Sequence, residues 1–239
     1  MAVDVGAPEA VPPAEFLEEL EGLRKTHLRG GLYRPQTHYK TKEEIAAAKR
    51  KRHVGNGNQN HKFVGEKYLN CPDKEIRRLH LRKMIDEGGQ TTVGVGLPSH
   101  PRLLRWESNA FGVTDEEIDQ LEKEDLPPDM LLWQCWRTRA HREGNWAVAI
   151  GCSLVGEGEK IQPEAQQKLQ REIEDLKREY AALGIEDLDR ALANAIEHAS
   201  VDVHHAKLAM KTVSRYITTP ELQDEMRKAY VLTLHMRGF

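Results

Sequence analysis

Residues 187–216 read DLDRALANAIEHASVDVHHAKLAMKTVSRY, a run of 30 residues without proline or glycine. Alanine, leucine and methionine are strong helix formers, and small or apolar residues recur here at three- and four-residue spacing. That pattern predicts one long helix from about Asp187 to Tyr216. A helix turns about 100° per residue, so with His198 at zero Asp202 falls near 40° and His205 near −20°. The three side chains share an arc of about 60°. His204 lies near −120° and points elsewhere, so the two adjacent histidines are not one unit. Ala191, Asn194, Ala195, Ala209, Thr212 and Tyr216 share the arc, and this face is expected to look inward.

Burying a carboxylate and two imidazoles costs several kcal/mol unless they pair or bind a metal. The plain alternatives are a solvated face, or His–Asp pairs hydrogen-bonded across a core. Small residues above and below the triad leave room for ions. Nitrogen and oxygen ligands without thiolates suit iron or manganese, with zinc as a further choice. One helix provides three ligands, so others must come from facing helices, as in the carboxylate-bridged di-metal sites of helical bundles. Glu87 ends one helix before a Gly-rich loop, and His100 opens the next. Glu157 shares a mostly apolar helix face with Trp146, Ile150 and Ser153, whereas Glu159 points about 200° away toward solvent.

Outward from this stretch the chain is punctuated as a series of helices. Pro12-Pro13 can start a helix carrying Phe16, Leu17, Leu20 and Leu23. Residues 28–40 read as a loop. Thr41 with Glu44 has the pattern of a capping box. The basic run at 49–52 is expected to be a solvated helix face. A helix follows Pro72 and stops at Gly88-Gly89, a loop covers TTVGVGLPS, and a helix from His100 stops at Gly112. Thr114 with Glu117 caps the next, and Pro127-Pro128 ends it. Met130–Arg142, Asn145 to about Glu159, and Pro163–Leu183 before Gly184 are further helices, and Pro220 opens the last. No alternating run bounded by turns marks a strand. The expected architecture is all-α, a bundle of about seven core helices in one domain over 13–239, after a flexible leader at 1–12.

Composition narrows the function. The net charge is −3, so no overall field draws the chain to nucleic acid. Trp146 to Val155, the longest apolar stretch, is far shorter than the roughly 20 residues of a membrane span. The first residues, MAVDVGAPEAVPP, have no basic start and no apolar run, so no secretory signal is expected. Cys71, Cys135 and Cys152 are odd in number and widely spaced, which fits a reducing cytoplasm better than a disulfide framework.

Three segments together resemble a known family. NCPDKEIRRLHLRKMIDEGG at 70–89 is similar to its Arg-rich helix with a closing Asp-Glu-Gly. SHPRLLRWESNAFGV at 99–113 is similar to its His-Pro-x-Leu helix. His198–x3–Asp202–x2–His205 resembles the triad of the CADD-type para-aminobenzoate synthases. The family is that of the heme-oxygenase-like di-iron oxidases, near the pyrroloquinoline-quinone synthases and TENA-like proteins, and the resemblance covers about residues 60–216. It implies a heme-oxygenase-like bundle with Glu87, His100, Glu157, His198, Asp202 and His205 as ligands to two irons, or to iron and manganese. It implies O2 as co-substrate and oxidation of a small amine- or carboxylate-bearing molecule, such as an amino acid. Tyr216, on the ligand face, becomes a candidate catalytic residue; Lys168 and Lys207 could hold a substrate carboxylate, although surface positions are expected for both. An external electron donor and a homodimer are compatible with the resemblance. The Glu87-to-His100 gap is longer than in the CADD-type proteins. The quinone synthases use the fold without metal, so a metal-free oxidase is one alternative. A self-sacrificing para-aminobenzoate synthase is another, and a helical interaction protein with a structural His–Asp face is a third from a different class.

Overall fold

The computed structural model describes residues 9–27, 39–56, 60–88, 98–158 and 163–237. The leader up to residue 8, the 28–38 part of the first loop, the 91–97 part of the Gly-rich loop, and Glu159 lie outside them. Thirteen α-helices and no strand occur among the described residues. In chain order they are α1 (Pro13–His27), α2 (Lys42–Lys51), α3 (Asn60–Asn70), α4 (Lys74–Gly88), α5 (His100–Ala110), α6 (Asp115–Leu121) and α7 (Pro128–Arg142). Then come α8 (Trp146–Gly151), α9 (Leu154–Glu157), α10 (Pro163–Ala182), α11 (Leu188–Ala191), α12 (Ala193–Tyr216) and α13 (Pro220–Arg237).

The ten helices read from the sequence become thirteen because two of them are interrupted and α3 was not foreseen. The 187–216 helix divides at Leu192, whose φ of −119° and ψ of 10° leave the helical region. The 145–159 helix divides at Cys152-Ser153. At the end of α8, a Cβ on Gly151 would meet the Met226 methyl and Val213 Cγ2 at 2.8 Å. Glycine therefore lets α8 press against both α12 and α13 at that point.

Local chemistry sets most of the ends. Thr41 accepts from the Glu44 amide at 3.2 Å, and the Glu44 carboxylate takes the Lys40 amide at 2.7 Å. Thr114 caps α6 through the Glu117 amide. Asp73 caps α4 through the Ile76 amide, and Asn145 caps α8 through the Ala147 amide. Gly112 and Gly184 follow α5 and α10 with φ of 86° and 77°, the left-handed conformation that ends a helix cleanly with glycine. Val11, in the expected leader, is pinned by its backbone to the Gln223 amide at 2.8 and 2.7 Å.

Helix α12 is the hub: it packs on α8, α5, α1, α9, α4 and α10. Its lower half contributes Leu208, Ala209 and Val213 to a core shared with Phe16, Leu20, Ile76, Ile150, Met226, Tyr230 and Leu234. In the basic run at 49–52, Lys51 and Arg52 are exposed as expected, and Lys49 and Arg50 are not. Lys49, its side chain 13% exposed, pairs with Glu107 at 2.8 Å, while Arg50 pairs with Glu117 at 2.6 Å. These residues fasten α2 to α5 and α6, since a buried ammonium needs a carboxylate partner.

Candidate metal centre

The upper half of α12 carries the polar triad. Asp202 and His205 are buried, His198 is half-buried, and His204 is exposed, as the helix phase requires. His198 Nδ1 lies 3.0 Å from Asp202, and His205 Nδ1 lies 3.6 Å from it. The carboxylate thus stands between the two imidazoles of its own helix.

Facing helices extend this row at both ends. Glu87, on the last turn of α4, accepts a 2.6 Å hydrogen bond from His100 Nδ1, on the first turn of α5. The His100 ring lies 4.6 Å from the His198 ring, centroid to centroid. At the other end Glu157, at the close of α9, comes within 3.9 Å of His205 Nδ1. Glu157, Asp202 and His205 can each direct one ligand atom to a common point, all within 4.8 Å of one another. The six residues read from the sequence as metal ligands thus lie along one row, and among the described residues Glu157, Asp202 and His205 are the three whose ligand atoms converge.

Two atoms fit this donor set to a cation. A carboxylate only accepts, so the proton on His100 sits at Nδ1 and Nε2 carries a bare lone pair. That Nε2 is buried with no hydrogen-bond partner among the described residues, and the same is true of Glu157 Oε2. Buried polar atoms are normally satisfied, and a divalent metal would satisfy both. Burial pushes the Glu87 carboxyl up. The hydrogen bond from His100 outweighs it and holds its pKa down at about 2. The Glu87 carboxylate thus stays ionised and keeps the His100 tautomer fixed, the arrangement that orients ligating histidines.

Lys83 is the counter-charge to this acidic row. Its ammonium is buried and lies 2.6 Å from Glu157 Oε1. It sits one helical turn before Glu87. Ile76, His80, Lys83 and Glu87 are 0%, 1%, 4% and 5% exposed, so this whole stripe of α4 faces inward. The spacing of 4, 3 and 4 is that of one helix face, and reading it upward from Glu87 would have found His80 and Lys83. On α3, Lys67 follows buried Phe63 by four residues and Val64 by three. Its ammonium is buried and donates to Ser153 at 2.8 Å. His141, on the last turn of α7, is also buried. Each of these four was passed over because a lysine or histidine amid polar neighbours reads as surface.

Other expected roles are placed elsewhere. Tyr216 is 11 residues beyond His205, roughly 16 Å along the helix axis. Its hydroxyl donates to Asp73 and its ring packs on Trp146 at 4.7 Å. Thr212 donates to the Leu208 carbonyl of its own helix. Neither side chain belongs to the cluster. Lys168 and Lys207 are exposed. Cys135 is exposed, while Cys152 is buried and its thiol is pushed up to about 11 by burial.

Neither a protein-family model nor a curated protein sequence matches the chain. Among solved structures, a TenA homolog from Pseudomonas syringae pv. tomato is similar. It has a TM-score of 0.58 at 14% identity, and the match covers 96% of this chain and 91% of that one. The chain has the heme-oxygenase-like all-α fold. No helix among the described residues is long and apolar enough to cross a membrane. A fold hosts many activities, so the side chains inside it carry the functional reading.

Proposed function

We propose that this protein is a non-heme di-iron oxidase that uses O2 to oxidise a small amine- or carboxylate-bearing molecule. The observation that carries the reading is the continuous row Glu87–His100–His198–Asp202–His205–Glu157 in the bundle interior. Asp202 touches both imidazoles of α12, so its carboxylate can serve two ions. Glu87, His100 and His198 would hold one, and Glu157 and His205 the other. When bound, the two metals supply electrons and open coordination positions for O2. The protein's own part is to orient and to exclude water. Glu87 fixes the His100 ring, Lys83 holds one oxygen of Glu157 and leaves the other bare, and the helices around α12 keep the row buried.

A metal-free oxidase is the second reading, and one observation favours it. The Lys83 ammonium already neutralises Glu157 at 2.6 Å, which lowers that carboxylate's need for a metal.

Anaerobic titration with ferrous iron, with elemental analysis of protein grown on iron and manganese, separates the two. The di-iron reading expects about two metals per chain and a transient visible absorption on mixing with O2. Protein that stays metal-free at saturating iron, with no coloured species, overturns it in favour of the metal-free oxidase.

A further inference from the structure

Beside the acidic row lies a second buried polar group that the metal ligands do not use. Lys67 of α3, His80 of α4 and His141 of α7 are 7%, 1% and 6% exposed. Lys67 hydrogen-bonds a neutral hydroxyl, Ser153. The charges that reach it are Lys83 and Arg137, of like sign, and Glu157, which Lys83 already holds. Neither nitrogen of His80 has a hydrogen-bond partner among the described residues, nor does His141 Nδ1. Helix α3 packs on both α4 and α7, and the His141 ring lies 5.5 Å from the ring of Phe63, one turn before Lys67. Lys83, one turn on from His80, holds Glu157, and the Ser153 that Lys67 holds lies one turn before Glu157, so the group lies beside the candidate metal ligands.

A buried ammonium with no carboxylate of its own, beside buried imidazole nitrogens that have no hydrogen-bond partner among the described residues, is a set of donors without an acceptor. We propose that Lys67, His80 and His141 form an anion site that takes the carboxylate of a small organic acid beside the candidate metal centre. A single ammonium among neutral donors suits a monoanion rather than a phosphate dianion. The surroundings suit an organic body: the Phe63 ring lies 5.5 Å from His141, with the Arg137 guanidinium over its face at 3.9 Å. Burial holds both imidazoles neutral, so each presents one N–H to the anion. Helix α3 packs on α4, α7 and α8, and α7 on α8, which fixes the donors before a ligand arrives. The anion site stands on these residues alone, while its role as substrate anchor rests on the oxidase reading.

The test is calorimetric titration of the full chain with benzoate, acetate and inorganic phosphate, in chelator-treated and in anaerobic ferrous-loaded protein. Benzoate is expected to bind, and Lys67→Met to weaken it about tenfold or more, the scale of a lost charged hydrogen bond. Exposed Lys207→Met is expected to change nothing, and Lys67→Met to keep the wild-type iron content. If Lys67→Met does not fold, His80→Asn is the second variant, with weaker benzoate binding expected. Equal benzoate affinity in Lys67→Met and wild type, or no carboxylate binding to wild type, overturns the proposal. Phosphate bound in place of benzoate overturns the organic-acid assignment. Lys67-dependent benzoate binding without any iron binding would sink the di-iron reading and leave the anion site intact; the converse result sinks only the anion site.

Discussion

Replacing Lys67 with methionine is expected to stabilise the protein. Burial holds the Lys67 ammonium at a pKa of about 7 against an ordinary 10.5. At about 1.4 kcal/mol per pH unit, folding that lysine costs roughly 5 kcal/mol at or below neutral pH. Methionine has nearly the same length and no charge. It loses the Ser153 hydrogen bond, worth about 1 kcal/mol, and water reaching the site in the wild type offsets another part. A net gain of about 2–3 kcal/mol remains, which for a chain of this size raises Tm by roughly 5–10 °C. The pH dependence gives the sharper test. Above pH 7 the folded protein releases the Lys67 proton, while the unfolded chain keeps it up to about 10.5. The unfolded state then binds more protons, so this group adds stability to the wild type as pH rises through that window. The advantage of Lys67→Met should therefore be fully present at pH 6 and shrink to about 1 kcal/mol or less by pH 9. Urea unfolding at pH 6, 7, 8 and 9, followed by circular dichroism, measures it. A variant less stable than wild type at pH 6, or an advantage independent of pH, would falsify the view of Lys67 as a charge kept at a cost to stability.

Lys83→Met should do the opposite and destabilise by about 3 kcal/mol, because it leaves Glu157 buried without its cation; added ferrous iron should recover part of that loss in a thermal scan if Glu157 is a ligand. His205→Ala should lose most of its iron by elemental analysis and His204→Ala should keep it, because His205 is buried in the row and His204 is exposed; equal losses would contradict the cluster. Tyr216→Phe should leave iron content and O2 uptake at wild-type levels, since its hydroxyl is engaged with Asp73; loss of O2 uptake would restore the catalytic role suggested by helix phase. Lys49→Met should cost about 2–3 kcal/mol in denaturant unfolding, leaving Glu107 with only Arg52 at 3.5 Å; an unchanged midpoint would show that the pair is idle.

A TenA homolog with 14% identity shares this fold because a bundle depends on where apolar faces and helix ends fall, and those are local properties. The caps at Thr41 and Thr114 and the glycine stops at 112 and 184 are written in neighbouring residues and were legible. So was the phase of His198, Asp202 and His205, because 3.6 residues per turn fixes directions within one helix. What periodicity could not supply is which faces meet. Phase put Thr212 and Tyr216 on the ligand face, yet one satisfies its own helix and the other caps a contact with Asp73, because a face 24 residues long spans several neighbours. The buried lysines were invisible for a related reason. Lys49, Lys67 and Lys83 resemble surface residues in sequence, and their burial is decided by Glu107, Ser153 and Glu157, which lie 58, 86 and 74 residues away. A charge is tolerated inside a protein only by partners brought from elsewhere in the chain. The sequence by itself therefore determined the helices and the triad on α12, and only tertiary packing decided which charges are buried and what they face.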